Sequence, residues 1–138
     1  MNRILRIAGP TAAVVLAAGL LSAPAASATG NEGPQCVNAL IASNNWNNSA
    51  IGADGSGNAA TAATDDGTTG GYLFTAEQTC YYTPSYTAYQ DVIQATTDNS
   101  SAESANQAGN TSAALTDERA ASSLINTAMN IEMGYGYL

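Results

Sequence analysis

Large apolar side chains are scarce in this chain once its first 28 residues are set aside. Residues 29–138 contain only five Leu, five Ile, two Val and one Phe. Such a chain can bury only a thin core, because hydrophobic stabilisation grows with the apolar area removed from water. Ala is abundant and lets helices pack closely. We therefore expect one small, mainly helical domain that contains some unstructured chain.

The first 28 residues have the features of an export signal. Two Arg residues lie near the start, a run of small and apolar residues follows at 12–21, and positions 26–28 read Ala-Ser-Ala. A positive start, a short apolar stretch and a small-x-small cleavage site define a secretory signal peptide. The apolar stretch is about half the length of a membrane-spanning helix. We predict a signal peptide at 1–28, a single secreted domain at 29–138 and no membrane span.

Cys36 and Cys80 are the only two cysteines of the chain. An even number of cysteines in an exported protein predicts a structural disulfide within the chain. In the loop-closure model a bridge of this span contributes about 4 kcal/mol, a large share of the stability of a small domain. The Cys-x-x-Cys spacing that redox enzymes use is absent.

The charge of the secreted domain limits its partners and its chemistry. It has eleven acidic residues, a single basic residue, Arg119, and neither His nor Lys, which gives a net charge of −10. Nucleic acids and anionic lipids are bound through Lys and Arg, so we expect neither as a partner. A Ser-His-Asp or Cys-His site cannot be built. We expect no enzyme activity, no catalytic residue and no cofactor.

The sequence matches itself at an offset of 52 residues. Residues 37–76 align with residues 89–128 without a gap, and twelve of the 40 positions are identical. This match predicts a two-unit internal repeat in which each unit buries its apolar face against the other. Shared low complexity is the alternative explanation.

Local patterns predict three helices separated by irregular chain. Apolar residues at helical spacing favour helices at about 35–47, 84–99 and 116–133. The alternative for 101–110 is a weak Ala-rich continuation of the helix, with Gly109-Asn110 as a stop. Residues 48–71 are dense in Gly, Ser, Thr, Asn and Asp and are predicted to form a long flexible polar loop. Residues 72–82 are rich in Tyr and indicate a short strand or an irregular packed segment.

Aromatic residues provide the candidate binding site. Tyr81, Tyr82, Tyr86 and Tyr89 lie within nine residues. Aromatic faces with hydroxyl tips are typical of surfaces that bind sugars or polymers, whereas the helical spacing of Tyr86 and Tyr89 equally favours packing in a core. Trp46 is the candidate additional partner under either interpretation.

One segment has the ligand spacing of a calcium loop. Asp54, Ser56, Asn58 and Asp65 occupy positions 1, 3, 5 and 12, as in an EF-hand. Position 6 is Ala59, where the tight turn of an EF-hand uses Gly, and only two of the four ligands are charged. We therefore favour an ordinary polar turn and predict no metal site.

Residues 55–61 and 101–118 have a similar pattern of Gly, Asn and Ala residues. They resemble fragments of curlin-type repeats, and this resemblance implies extracellular fibres built from stacked strands. The apolar helical stripe after Thr116 indicates a helix instead, so we do not assign the chain to that family.

Together these observations predict a secreted, non-catalytic interaction or structural protein of the cell envelope or extracellular matrix. Its partner would be a protein or an extracellular polymer, and the sequence leaves open whether the protein is released or held at the cell wall. One alternative is a fibre-forming or adhesive protein that associates with itself. Another is a small module that binds glycan or calcium.

Overall fold

The computed structural model describes residues 30–137, so the predicted signal peptide lies outside the described residues. Four helices follow one another: α1 Glu32–Gly55, α2 Ala59–Cys80, α3 Tyr86–Gln107 and α4 Thr111–Gly134. Helix α1 packs against α2 and α4, and α3 packs against the same two helices. Short connections between long neighbouring helices produce an up-down-up-down bundle. The expected mainly helical fold is confirmed, and residues 30–137 contain no strand.

Each helix buries a seam with alternating spacings of four and three residues. In α1 the seam is Cys36, Leu40, Ser43, Asn47, Ala50 and Asp54. In α2 it is Ala62, Asp66, Thr69, Leu73, Ala76 and Cys80. This heptad spacing keeps one face of each helix towards the bundle axis, as in a coiled coil.

The two halves of the bundle have the same pattern of burial. Every buried residue of α3 and α4 lies 52 positions after a buried residue of α1 or α2. The equivalence extends to backbone and capping: Gly57 and Gly109 have φ of 77° and 73°, and the side chains of Asn58 and Asn110 cap the helices that follow. Glycine suits this left-handed position because it has no Cβ. A duplication in the origin of the chain stays a prediction, whereas the equivalence of the two hairpins is a structural fact.

The predicted disulfide is present. The Sγ atoms of Cys36 and Cys80 are bonded, and the two Cα atoms lie 4.9 Å apart. The bond joins the beginning of α1 to the last residue of α2. We call this the disulfide end of the bundle; α3 also begins here and α4 ends here.

The core changes character along the bundle axis. Near the disulfide end, one apolar cluster contains Leu40, Leu73, Val92 and Ile125 surrounded by buried Ala residues. At the opposite end, which we call the polar end, buried Ala residues alternate with buried Asn, Asp, Thr and Glu. None of the helices in residues 30–137 is apolar enough over a sufficient length to cross a membrane.

The predicted loop at 48–71 is wrong. Helix α1 continues to Gly55 and α2 begins at Ala59, so only residues 56–58 connect them. The segment is helical because its small residues Ala50 and Ala62 fill the close interface between the two helices, although it has almost no large apolar side chain. Three of its polar residues, Asp54, Asp66 and Thr69, occupy buried seam positions, and such residues resemble a loop in a hydropathy pattern.

The other predicted boundaries also differ from those of the structure. Residues 72–80 belong to α2 and not to a strand, since Leu73, Ala76 and Cys80 continue its buried seam. Helix α3 extends to Gln107 and α4 begins at Thr111, beyond the expected limits of 99 and 116. The additional turns also bury Ala and polar residues, so apolar periodicity underestimates their length.

Candidate functional site

Four tyrosines form one cluster of rings at the disulfide end. Tyr81 and Tyr82 follow α2, while Tyr86 and Tyr89 lie in the first turn of α3. The ring centroid of Tyr81 lies 5.1 Å from that of Tyr82 and 5.3 Å from that of Tyr89, and both pairs are arranged edge to face. The Tyr86 and Tyr89 centroids are 6.2 Å apart. These are favourable geometries for aromatic pairs.

The tyrosine cluster lies on the surface. Tyr86 is 72% exposed and Tyr81 is 51% exposed, whereas Tyr82 and Tyr89 are half-buried beside them. Burial is also the main reason that the pKa of Tyr89 is raised above its usual value, followed by the nearby carboxylate of Glu77. The rings therefore pack against one another while leaving two of their number accessible, and they add nothing to the apolar cluster in the core.

The backbone that carries the tyrosines is anchored at three points. The first is the disulfide at Cys80, directly before Tyr81. The second is the hydroxyl of Thr83, which lies 2.7 Å from Glu132 Oε1 of α4 and 2.8 Å from the Cys80 carbonyl oxygen. The third is the Ser85 side chain, which accepts from the Ala88 amide and caps α3. These bonds fix the short connection relative to three helices.

The structure does not bring Trp46 into the tyrosine cluster. Trp46 is 40% exposed on α1, and its position ten residues after Cys36 places it about 15 Å further along the helix axis. Two aromatics that the sequence reasoning did not select lie at the disulfide end instead. Tyr135 and Tyr137 follow α4 with ring centroids 6.1 Å apart, and Tyr137 covers the Cα of Gly33. The up-down order of four helices with short connections places the end of α4 beside the beginning of α1.

A second group of functional side chains is buried at the polar end. Each helix contributes one member: Asp54 from α1, Asp66 from α2, Asn106 from α3 and Glu118 from α4. We call this set the carboxyl cluster. The Asn106 amide nitrogen donates to Asp66 Oδ2 at 2.9 Å and lies 3.3 Å from Glu118 Oε1. All four residues are at most 3% exposed.

Burial changes the acidity of this cluster. Desolvation raises the pKa of Asp66 to about 6, while its hydrogen bond from Asn106 opposes the rise. Desolvation also raises the pKa of Glu118 to about 8, with the side chain of Asp54 as the next cause. Neither oxygen of Asp54 has a hydrogen-bond partner among the described residues.

The residues of the calcium-loop alternative lie in different elements. Asp54 is buried at the end of α1, and Asn58 caps α2 with its side-chain oxygen. Asp65 lies inside α2 and accepts a hydrogen bond from Ser49 at 2.7 Å. Among residues 30–137, no group of three or more His, Cys, Asp or Glu side chains is arranged to hold a metal ion.

A shallow groove on α3 contains only hydroxyl side chains. It is lined by Thr96, Thr97, Ser100, Ser101 and Ser104. Most of these hydroxyls donate to carbonyl oxygens one turn earlier in the same helix. The groove therefore offers no converging set of free polar groups, and the tyrosine cluster is the stronger candidate for recognition.

No protein-family model, curated protein or solved structure matches this chain.

Proposed function

We propose that this is a secreted, non-catalytic binding protein of the cell envelope or extracellular matrix, and that its tyrosine cluster binds an uncharged polysaccharide. The observation that carries the proposal is the fixed array of partly exposed rings, with Tyr81 and Tyr86 presenting the largest free faces. Sugar rings have apolar C–H faces that stack on aromatic rings, and tyrosine hydroxyls supply hydrogen bonds at the edge.

The anchoring of the tyrosines supports a binding role. A surface that is ordered before its ligand arrives loses less conformational entropy on binding. The Cys36–Cys80 disulfide and the Thr83–Glu132 hydrogen bond hold the connection in place. Aromatic side chains that served only as solvent-exposed spacers would not require such anchors.

Charge and compartment favour the same class of partner. The net charge of −10 after residue 28 repels anionic polymers. The export signal and the disulfide are both typical of proteins that work in an oxidising compartment. The absence of His and Lys removes the commonest general bases and imidazole ligands, which supports binding over catalysis.

The test is a sedimentation assay of the oxidised chain, residues 29–138, with insoluble cellulose and chitin, which are both uncharged. We expect wild-type protein to bind at least one of these polymers. Replacing both exposed rings in Tyr81→Ala/Tyr86→Ala should weaken that binding about tenfold or more, which corresponds to about 1.4 kcal/mol. The double variant Tyr72→Ala/Phe74→Ala is the matched control, because it removes two exposed aromatics of α2 outside the cluster.

Equal binding by the wild type and by Tyr81→Ala/Tyr86→Ala would contradict the proposal. So would a larger loss in the control variant. Self-association through the rings is the competing use of this surface, and sedimentation velocity without polymer would detect it as a dimer that the tyrosine substitutions abolish. That result would also contradict polysaccharide binding as the function of the cluster.

A further inference from the structure

The polar end of the core contains more hydrogen-bond acceptors than donors. Seven buried oxygen atoms there have no partner: Asn47 Oδ1, Asp54 Oδ1, Asp54 Oδ2, Asp66 Oδ1, Asn99 Oδ1, Asn106 Oδ1 and Glu118 Oε2. Buried polar atoms in folded proteins are normally paired, and an unpaired one costs about 1–3 kcal/mol. This concentration of acceptors therefore requires a source of donors.

Side-chain amides supply only a small part of the missing donors. The Asn106 amide donates within the carboxyl cluster. The Asn47 and Asn99 amides each use one N–H to donate to the backbone carbonyl oxygens of Glu118 and Asp66, so each has one further N–H. These two N–H groups are fewer than the seven unpaired oxygen atoms, so protons bound to carboxyl groups are the further donors that this chain can provide.

The electrostatic surroundings of the cluster also favour bound protons. The groups that raise the pKa of Asp66 or Glu118 come from three helices and are all acidic. They are Asp54 from α1, Asp65 and Asp66 from α2, and Glu103 from α3. Asn106 of α3 opposes them with its amide. The single basic residue after residue 28 is Arg119, and its side chain is exposed.

The two ends of the bundle are held together differently. At the disulfide end, α1 and α2 are covalently joined and the apolar cluster spans all four helices. At the polar end the helices are connected by the turns at 56–58 and 108–110, and the largest side chains between them are carboxyl and amide groups. Repulsion between ionised carboxylates would therefore act at the end with the weaker constraints.

We propose that closure of the polar end depends on protons bound to Asp66 and Glu118 within the carboxyl cluster, and that their loss opens this end while the disulfide end stays folded. The closed state binds more protons than the open state, so rising pH shifts the population towards the open state. The raised pKa values of Asp66, about 6, and Glu118, about 8, place the change between about pH 6 and pH 8. The domain would thus respond to the pH of the medium around the cell.

The experiment is hydrogen–deuterium exchange of the oxidised chain, residues 29–138, at pH 5 and pH 9 in the presence of EDTA. Rates are corrected for the pH dependence of exchange in an unstructured peptide. We expect amides in 45–66 and 98–118 to lose at least about tenfold in protection at pH 9, because one shifted pKa unit corresponds to a factor of ten in an equilibrium. Amides in 36–43 and 88–95 should keep their protection.

Two variants identify the groups responsible. In Glu118→Gln, an amide that cannot ionise replaces the carboxyl group and donates to Asp54 at every pH, so the loss of protection at pH 9 should shrink severalfold. Asp66→Asn should also reduce the loss of protection at pH 9. It replaces Glu118→Gln as the test variant if Glu118→Gln does not fold. Asp117→Asn is the matched control, since it removes a charge from the neighbouring position of α4 and leaves the cluster intact.

Three results would overturn the inference. One is equal protection of the wild-type polar end at pH 5 and pH 9. Another is opening at pH 9 that begins at the disulfide end. The third is an effect of Asp117→Asn as large as that of Glu118→Gln, because this would assign the pH response to general charge repulsion.

Discussion

Asn47 and Asn99 lie 52 positions apart and make the same interhelical hydrogen bond. The Asn47 amide donates from α1 to the carbonyl oxygen of Glu118 in α4, and the Asn99 amide donates from α3 to that of Asp66 in α2, both at 2.9 Å. The acceptors are themselves 52 positions apart. Each bond ties helices of different hairpins together, so the pair fixes how the two halves of the bundle meet.

The equivalence of these bonds leads to a first prediction. Asn47→Ala and Asn99→Ala should each lower the free energy of unfolding by about 1–2 kcal/mol, because each removes one buried hydrogen bond and leaves a small void. The two losses should agree within about 0.5 kcal/mol, as expected for equivalent sites. Urea unfolding measures both, with Asn45→Ala, an exposed position of α1, as the control. A large loss in one variant and none in the other would contradict the equivalence.

The disulfide gives a second prediction. Cys36→Ser/Cys80→Ser should lower the free energy of unfolding by about 4 kcal/mol, since the unfolded chain gains the freedom of a long loop. Thermal unfolding by circular dichroism, compared with the oxidised wild type, provides the measurement. Equal stability of the reduced and oxidised proteins would show that the apolar cluster alone holds the disulfide end together.

The carboxyl cluster gives a third prediction, for overall stability. The pKa values of Asp66 and Glu118 are raised in the folded state. The contribution of these two groups to the free energy of unfolding is therefore complete at pH values below about 4, where their pKa values lie in the unfolded chain. It is lost as pH rises through about 6 for Asp66 and about 8 for Glu118. The free energy of unfolding should therefore fall by a few kcal/mol from pH 4.5 to pH 9, at about 1.4 kcal/mol for each unit of pKa shift. Denaturant titrations at fixed salt check the sign, and stability that rises with pH would refute it.

The Thr83–Glu132 hydrogen bond gives a fourth prediction. Thr83→Val keeps the shape of the side chain but leaves Glu132, which is fully buried, without its donor. We expect a loss of about 1–3 kcal/mol in stability and a weaker near-ultraviolet circular dichroism signal from the tyrosines. Thr75→Val is the control, because the Thr75 hydroxyl is exposed and bonds only within α2. An unchanged tyrosine signal in Thr83→Val would mean that this bond does not position the cluster.

The sequence predicts those parts of the fold in which large apolar residues form the seam. Leu40 in α1 and Ile125 in α4 indicate helices correctly, and the cysteine count predicts the disulfide. The tyrosine cluster also follows from the sequence, because its members are close along the chain. Whether their faces are free could not be predicted, since this depends on how the connection after Cys80 is anchored.

The polar end could not be predicted from hydropathy because its seam residues have the composition of a loop. Asp54, Asp66 and Asn106 are buried at heptad positions, yet each is typical of an exposed turn. The offset of 52 contains the missing information: it aligns Asn47 with Asn99 and Asp66 with Glu118. Extending the apolar stripe of α4 backwards in steps of three and four reaches Glu118, and transferring it by this offset would have placed Asp66 in a core.

The most direct test of the proposed function is an NMR titration of the oxidised domain with a soluble oligosaccharide. The oligosaccharide is a fragment of the polymer that binds the protein in the sedimentation assay. The account predicts shifts confined to residues 79–90 and the adjoining end of α4, with saturation and with loss of the response in Tyr81→Ala/Tyr86→Ala. Shifts centred on the hydroxyl groove of α3 or on Trp46, with the tyrosine region unchanged, would contradict it.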